Sequence, residues 1–405
     1  MQVYVARQPI LDRSRKTYGY ELLFRDGIAN SFPDLDGDTA TFRLLSNTFF
    51  SMGIEDILGS RPVFINFPQA LIDRQIPLFF PRDKVVVEIL EDVRPDRITI
   101  QAVEKLKKKG YTIALDDFVL AESLYPLIRQ ADIIKFDFRQ SSLDEIRTMI
   151  TRLNKDFKLS YLAEKIETYD EFEKALDLGC TYFQGYFFEK PRVLSNHSIP
   201  SIKNNLIRLM AQVSKADMDF PGVTRAIRDD VSMSFKLMKF INSAYYRRRY
   251  PLESVRDAIA MLGQKDITQF VMLIAATGLA EGKPEEIIKT SIITGCMCEA
   301  VGQQAGSDFT KEELFTLGLF SRIDAMLEMP MQAIVKELPF SSRINLALEG
   351  KNNHFKELNQ VVTHFIRGEW QELADCCSLF KLDQEVLHQS YYKAVQTADE
   401  FLKPV

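Results

Sequence analysis

The sequence predicts an α/β barrel of the TIM type, followed by an all-α helical domain. Up to about residue 192, short runs rich in Val, Ile, Tyr and Phe alternate with amphipathic stretches of helical period. Seven or eight such runs match the strand number of a TIM-type barrel. From residue 202 onward the strand-like runs stop, and apolar residues recur three and four positions apart, as in helices. These two patterns predict domains at residues 1–195 and 202–395, joined by a segment that contains Pro, Ser and Asn.

The predicted strands follow one another in order along the first domain. They read VYVARQPIL, TYGYELLF, PVFINF, KVVVEIL, YTIALDDF, ADIIKFDF, SYLAEKI and TYFQGYFF. Between them, DRITIQAVEKLKKKG runs from an Asp to a Gly after a Lys-rich turn, which are the start and stop signals of a helix. TYDEFEKALDLG is a second helical stretch. In the second domain the helical stretches include VSMSFKLMKFINSAYY, SVRDAIAMLG, DITQFVMLIAATGLA and EELFTLGLFSRIDAML.

Composition excludes several classes of function. The 405 residues are 46% apolar, which is ample for packed cores, and the net charge of −5 disfavours a nucleic-acid binder because such proteins need a basic face. No apolar run reaches the length needed to span a bilayer, and the first residues contain no apolar signal core. The five cysteines are odd in number and poorly spaced for disulfides or zinc. We therefore expect a cytoplasmic protein with reduced thiols and no membrane contact.

Polar side chains recur at the C-terminal ends of the predicted strands, where barrel enzymes place their chemistry. Singly they have ordinary explanations: Asp116 and Asp117 would cap a helix or begin a turn, and Lys135 would pair with Asp137. Five or six carboxylates at one mouth, however, would repel one another unless cations were present. The complete set is Glu21, Asn66, Glu88, Glu91, Asp116, Asp117, Lys135, Asp137, Glu164, Glu167 and Gln184.

The ligand types in this set indicate a hard divalent cation. Carboxylates and an Asn carbonyl suit Mg²⁺ or Mn²⁺ better than zinc. Adjacent aspartates supply one bridging and one terminal ligand, as in a two-metal site for phosphoryl displacement.

Residues 1 to about 192 resemble the EAL family of cyclic di-GMP phosphodiesterases. The matching motifs occur in family order: Q-P-I, E-L-L-F-R for E-A-L-x-R, F-I-N-F for V-N-x-S, E-I-L-E for E-I-T-E, A-L-D-D-F, I-K-F-D for I-K-I-D, A-E-K-I-E for A-E-G-V-E, and F-Q-G-Y-F-F-E-K-P for Q-G-Y-x-x-x-x-P. The resemblance implies a modified TIM barrel that opens cyclic di-GMP to linear pGpG with two Mg²⁺ or Mn²⁺ ions.

The resemblance also implies a metal-ligand set. Carried over by position, the ligands would be Glu21, Asn66, Glu88, Asp116 and Asp117.

The resemblance implies other roles for the remaining motif positions. Glu164 would be a further ligand or the general base, and Lys135 would position the attacking water or the phosphate. Gln184 would hold the far side of the site, and Arg25 would contact a substrate phosphate. Glu91 would anchor the loop that follows the paired aspartates.

Two departures from the family pattern leave two functions open. Residues 116–124 read D-D-F-V-L-A-E-S-L instead of D-D-F-G-x-G-x-S-S-L, so Val119 and Leu120 replace residues that would permit positive φ. Lys165 replaces the Gly of A-E-G-V-E. In the family this loop supports the metal pair and dimerisation, so a homodimer is one expected assembly. The alternatives are hydrolysis of cyclic di-GMP and an inactive sensor or scaffold. We favour hydrolysis because a site without metals would keep unbalanced buried carboxylates.

Residues 203 to about 391 resemble the HDOD domain, a relative of the HD phosphohydrolases. The matches are L-M-K-F-I-N-S-A-Y-Y, S-V-R-D-A-I-A-M-L-G and L-F-T-L-G-L-F-S-R-I-D-A-M-L. Ser321 and Arg322 stand at the place of the H-D pair, and no His occurs between His197 and His354. We therefore predict a non-catalytic regulatory module that binds a protein partner.

One basic cluster remains in the helical domain. Arg247, Arg248 and Arg249 lie between tyrosines in YYRRRYP, a composition that suits phosphate or an acidic partner. We favour a solvated turn between helices, since the overall charge is acidic.

Overall fold

The structure is a computed structural model of the chain. It describes residues 3–26, 61–190, 201–215, 217–243, 246, 252, 254–305, 310–380 and 382–403. The cluster Arg247, Arg248 and Arg249 lies outside the described residues. The chain divides into two compact units, Met1–Phe188 and Glu189–Val405.

The first unit is a closed barrel whose strands are paired in sequence order, which confirms the predicted fold class. The strands are β1 Val3–Asp12, β2 Thr17–Asp26, β3 Val63–Phe67, β4 Val85–Ile89, β5 Thr112–Leu115, β6 Ile133–Asp137, β7 Ser160–Glu164 and β8 Tyr182–Gln184. The helices are α1 Gln69–Asp73, α2 Arg97–Lys108, α3 Tyr125–Ile128, α4 Leu143–Asp156 and α5 Tyr169–Asp177. Short 3₁₀ helices cover Ile76–Phe79, Glu122–Leu124 and Phe187–Glu189.

The repeated β-α-β pattern fails at the first connection. Strand β1 is antiparallel to both β2 and β8, whereas the pairs from β2–β3 through β7–β8 are parallel. The cause is local, because only residues 13–16 join β1 to β2, and a parallel crossover needs a dozen or more. The Asp12 carboxylate closes this turn by accepting hydrogen bonds from the backbone N–H groups of Ser14 and Lys16 (2.8 and 2.9 Å).

The barrel interior is built in two layers. The apolar layer consists of Ile10, Phe64, Val86, Ala114, Ile133 and Leu162, with Tyr18 and Tyr182 packed against it. Two residues further toward the mouth, the same strands carry Gln8, Asn66, Glu88, Asp116, Lys135, Glu164 and Gln184. Because alternate residues of a strand face the same side, the polar layer lies directly above the apolar one.

Strand β2 reaches the polar layer through a β-bulge. The partners of Ile10 and Leu11 on β2 are Gly19 and Thr17, so Tyr18 has no counterpart on β1. A bulge adds one residue and changes which side chains share a face. Glu21 therefore lies three residues beyond Tyr18, opposite Gln8 in the register.

Capping side chains begin the amphipathic helices of this unit. Asp96 accepts a hydrogen bond from the N–H of Thr99 (2.9 Å) at the start of α2, as the Asp at the head of the predicted helix indicated. Reciprocal capping boxes begin α4 at Ser142 and α5 at Thr168. These caps orient the helices that follow β4, β6 and β7.

The second unit is helical in its described residues, as the sequence predicted. Its helices are α6 Ser201–Val213, α7 Phe220–Asp229, α8 Val231–Asn242, α9 Val255–Met261, α10 Gln264–Leu279, α11 Glu285–Ala305, α12 Lys311–Phe320, α13 Ile323–Leu327, α14 Met331–Ile334, α15 Ser342–Leu348, α16 His354–Arg367, α17 Trp370–Phe380 and α18 Gln384–Leu402. A 3₁₀ helix covers Val335–Glu337.

Helix α11 forms the centre of this unit and packs against α12, α16 and α18. Glycine permits its close contact with α12, since a Cβ on Gly318 would lie 2.5 Å from the carbonyl oxygen of Thr294. The stretch EELFTLGLFSRIDAML, predicted as helical, is divided between α12 and α13, and the break falls at Ser321 and Arg322. None of the helices in the described residues is long and apolar enough to cross a membrane.

Candidate active site

Lys135 lies at the centre of the polar layer and is completely buried. Its Nζ is 2.6 Å from Oε1 of Glu88, 2.7 Å from Oδ1 of Asp116 and 2.9 Å from Oε1 of Glu164. Oε2 of Glu21 is 3.6 Å away. Four strand ends that are distant in sequence therefore bring their carboxylates to one ammonium group. We call Glu21, Glu88, Asp116, Asp117 and Glu164 the acid cluster.

Glu21 is held by side-chain amides. Its Oε1 accepts a hydrogen bond from Nδ2 of Asn66 (2.9 Å), and its Oε2 accepts one from Nε2 of Gln184 (2.7 Å). Gln184 also donates to Oε1 of Gln8 (2.8 Å), and Gln8 donates to the hydroxyl of Tyr186 (2.9 Å). Both carboxylate oxygens of Glu21 therefore have a side-chain amide as hydrogen-bond donor.

Burial and charge determine the ionisation of the cluster. Burial would lower the pKa of Lys135, but the surrounding carboxylates outweigh it and hold that pKa well above its usual value. Burial raises the pKa of Glu88 and of Glu164 well above the ordinary range, although the positive charge of Lys135 lowers both pKa values. For Asp116, Lys135 prevails over burial and the pKa is lowered. One cation is therefore too little charge to balance all these acids.

The oxygen atoms of this site fit divalent cations. Ligand oxygens of Asp116, Asp117 and Glu164 all lie within 4.8 Å of one another. Among the described residues, Oδ1 of Asn66, Oε2 of Glu88 and Oε1 of Gln184 are buried without a hydrogen-bond partner. Buried acceptors are normally satisfied, so such oxygens beside excess negative charge suit Mg²⁺ or Mn²⁺.

Asp117 occupies a strained backbone conformation at the edge of the cluster. Its φ is 38°, in the left-handed region that non-glycine residues rarely adopt. Nε2 of Gln140 lies 3.4 Å from its Oδ2. Burial and the neighbouring Asp116 raise the pKa of Asp117, while Lys165 opposes the rise. Strain of this kind is characteristic of residues kept for function.

The altered loop after Asp117 follows its own path. The N–H of Phe118 donates to the carbonyl oxygen of Lys135 (3.0 Å), and Val119 is 61% exposed. Glu91, predicted to anchor this loop, is exposed and forms no hydrogen bond or ion pair with another described residue. Arg25 belongs to β2, but its side chain lies outside the described ones. The roles carried over to Glu91 and Arg25 stay predictions.

Two ordinary explanations of the polar residues are wrong. Asp137 does not pair with Lys135; its Oδ2 contacts Nζ of Lys165, and its Oδ1 accepts a hydrogen bond from the N–H of Arg139 (2.6 Å). Asp116 does not cap a helix, since its carboxylate contacts Lys135. Lys135 and Asp137 are only two residues apart, but their partners come from other strands.

Sequence reasoning missed several supporting residues. From the sequence, Gln8 was named only within the Q-P-I motif. Gln140 and Tyr186 were not predicted as residues that support the site. The signal for Gln8 was its place two residues before Ile10 on the same face of β1. No sequence pattern predicts the contact of Gln140 with Asp117, because that contact depends on how two loops pack together.

Arg322 is buried in the helical unit, at the place predicted for the lost H-D pair. Its Nε is 3.2 Å from Oε1 of Glu189, and its Nη1 donates to the hydroxyls of Thr294 and Ser321 (3.0 and 3.1 Å). Nη2 of Arg367 donates to Oε2 of Glu189 (2.9 Å). The two guanidinium groups outweigh burial and lower the pKa of Glu189. This is an internally paired ionic network.

We predict that Asp324→Asn stabilises the protein at pH 7 by about 1–2 kcal/mol. Burial raises the pKa of Asp324 to about 6, although the N–H of Ala325 donates to it. The folded state therefore binds a proton more tightly than the unfolded state, and the cost of the buried charge disappears as the pH falls from 7 toward 4. Calorimetry at pH 7 and pH 5 should show the advantage shrinking. Equal gains at both pH values, or an equal gain for the exposed Asp229→Asn, would contradict this.

Comparison with known domain models assigns both units. The EAL domain model matches residues 42–191, and the HDOD domain model matches residues 199–380. The fold and the site thus define a two-domain EAL–HDOD protein. The cyclic di-GMP phosphodiesterase CdgJ of Vibrio cholerae serotype O1 is 34% identical over 393 residues, which is 96% of this chain and 91% of that protein. YuxH of Bacillus subtilis is 33% identical over 406 residues, covering 98% of each. This chain belongs to the EAL–HDOD family.

A solved structure matches more weakly. The manganese/cy-diGMP complex of Klebsiella pneumoniae BlrP1 at pH 6 is 20% identical, with a TM-score of 0.35, and the match covers 46% of this chain and 55% of that chain.

Proposed function

We propose that the barrel unit hydrolyses cyclic di-GMP to linear pGpG with divalent cations. The observation that carries this proposal is the acid cluster, in which five carboxylates lie together and four of them contact the buried ammonium group of Lys135. Kinship with CdgJ, which is named a cyclic di-GMP phosphodiesterase, supports the choice of substrate. The reaction adds water across one phosphodiester bond: the bond from phosphorus to the 3′ oxygen breaks, and a bond from phosphorus to the water oxygen forms.

The candidate ligands are the acids and amide oxygens of the polar layer. Asn66, Glu88, Asp116 and Asp117 would hold the cations, and Glu21 would do so with its amides. Bound Mg²⁺ or Mn²⁺ would lower the pKa of water and offset charge on the phosphate. Two such ions are part of this proposal.

Glu164 is our candidate for the general base. Its carboxylate lies beside Asp116 and Asp117, and burial raises its pKa above the usual value, which makes the carboxylate a stronger base. It would take the proton of the attacking water, and the departing 3′ oxygen would be protonated from solvent or from a cluster acid. Lys135 would keep Glu164 and Asp116 in place and neutralise charge as it develops.

A second candidate is binding of cyclic di-GMP without turnover. The observations that favour it are the exposed Val119 and the loss of both family glycines from the loop after Asp117. A regulatory HDOD unit with a protein partner is part of both candidates, and a homodimer likewise stays a prediction.

A chromatographic time course of cyclic di-GMP with the full chain separates these candidates. We expect linear pGpG to accumulate with Mg²⁺ or Mn²⁺ and to stop forming after chelation, since the cluster needs cations to neutralise it. Restoring Mn²⁺ should restore the product. Turnover that survives chelation would refute the metal mechanism, and nucleotide binding without product would favour the sensor.

A further inference from the structure

A second lysine stands beside the acid cluster, and the proposed reaction does not use it. Lys165 directly follows Glu164 at the end of β7, with a φ of 55° in the left-handed region. Its Nζ contacts Oδ2 of Asp137, and its side chain is about half exposed. Asp137 and Glu164 are register partners on neighbouring strands. The ammonium group of Lys165 is therefore fixed next to the cluster by a buried carboxylate.

Lys135 pairs with most of the acid cluster, whereas Lys165 pairs with Asp137 beside it. Lys135 forms ion pairs with Glu21, Glu88, Asp116 and Glu164, and these are four of the five cluster members. The fifth member, Asp117, has no ion pair with Lys135, although its oxygens lie within 4.8 Å of those of Asp116 and Glu164. The nearby charge is that of Lys165, held by Asp137, which opposes the rise in the pKa of Asp117.

Asp137 pairs with Lys165 and is itself held by the backbone. One oxygen of Asp137 is engaged by the N–H of Arg139 (2.6 Å), and the other contacts Lys165. Arg139 in turn pairs with Glu167, with Nη2 to Oε1 at 2.5 Å, so the loops after β6 and β7 are tied together. A fixed positive charge at this position repels any other cation that approaches Asp117.

We propose that Lys165 competes with a divalent cation for the Asp117 end of the acid cluster. An ion held by Asp116, Asp117 and Glu164 then binds more weakly than it would without this ammonium group. This inference rests on the proposed function, since it concerns the same metal site. Its consequence is that activity depends on the concentration of free Mg²⁺ or Mn²⁺, through the weaker site.

The test is Mn²⁺ binding to the full chain without nucleotide, measured by titration calorimetry and by the electron paramagnetic resonance signal of free Mn²⁺. Lys165→Met keeps the length of the side chain and its Cβ but removes the charge. We expect the weakest Mn²⁺ site to tighten by about tenfold, the effect of removing one like charge at several ångströms in a partly solvated site. Lys165→Gln should tighten it similarly, and Lys165→Arg, which keeps the charge, should stay within about twofold of wild type.

Lys174→Met is the matched control. Lys174 pairs with Asp170 on the exposed face of α5, so the same charge is lost from the same unit without touching the cluster. Its Mn²⁺ affinity should equal that of the wild type.

The outcomes separate this inference from the proposed function. Competition is supported if Mn²⁺ binds more tightly to Lys165→Met and Lys165→Gln and not to Lys165→Arg. Unchanged or weaker Mn²⁺ binding in Lys165→Met and Lys165→Gln overturns the competition proposal. The metal mechanism is then unaffected, since Lys165 would serve only to pair with Asp137. No Mn²⁺ binding by the wild type or by either variant overturns both proposals.

Discussion

Lys135→Met is expected to lower the free energy of unfolding of the metal-free barrel by about 3–5 kcal/mol. The Lys135 ammonium group is the shared partner of Glu21, Glu88, Asp116 and Glu164, and its loss leaves those carboxylates buried without a cation. Glu88 and Glu164 would respond by binding protons, because burial already raises their pKa values. The penalty should therefore shrink at low pH.

Scanning calorimetry of the full chain measures this effect as a shift of the barrel transition. Added Mn²⁺ should restore much of the lost stability, because divalent ions would supply the missing charge. Lys174→Met, at the surface, should leave the transition where it is. A barrel transition unmoved by Lys135→Met in metal-free buffer would mean that the acids are largely protonated and that Lys135 is dispensable.

Glu21→Ala should reduce turnover of cyclic di-GMP by about 10²–10³-fold or more, the range for loss of one electrostatic group at a reacting centre. The substitution removes a carboxylate that Asn66 and Gln184 hold in place, and both amides lose their acceptor. Cation affinity should fall at the same time, because one negative charge leaves the cluster.

The assay is the rate of pGpG formation at saturating Mn²⁺, beside a direct Mn²⁺ titration. Asp83→Ala, which removes an exposed carboxylate before β4, is the control and should match the wild type. Product formed by Glu21→Ala at the wild-type rate would remove Glu21 from the mechanism. A loss of turnover with unchanged Mn²⁺ affinity would assign Glu21 to substrate instead of metal.

Much of the fold could be predicted because its signals are local. The alternation of β-rich runs with amphipathic helices predicted the barrel, and the caps at Asp96 and Thr168 lie where the sequence places an Asp and a Thr before apolar periodicity. The connection between β1 and β2 does not follow the β-α-β pattern, although its length could be read from the sequence. A connection of four residues, 13–16, permits only an antiparallel pair.

The candidate site was predictable in composition but not in pairing. Polar residues at strand ends indicated which side chains would meet, and Lys135 and Glu164 do meet. The ordinary alternative, a pair between Lys135 and Asp137, does not form, because nearer acids come from other strands. The anchoring role of Glu91 stays a prediction, since the loop after Asp117 has lost the family glycines.

Local sequence signals were sufficient to predict the order of strands and helices and the residue types of the acid cluster. These follow from period, capping and chain connectivity, which act over a few residues. The folded barrel was needed to show which carboxylates share Lys135, how the bulge at Tyr18 brings Glu21 into register, and that Asp137 pairs with Lys165. Those choices depend on strand register and barrel closure, which join segments far apart in the chain.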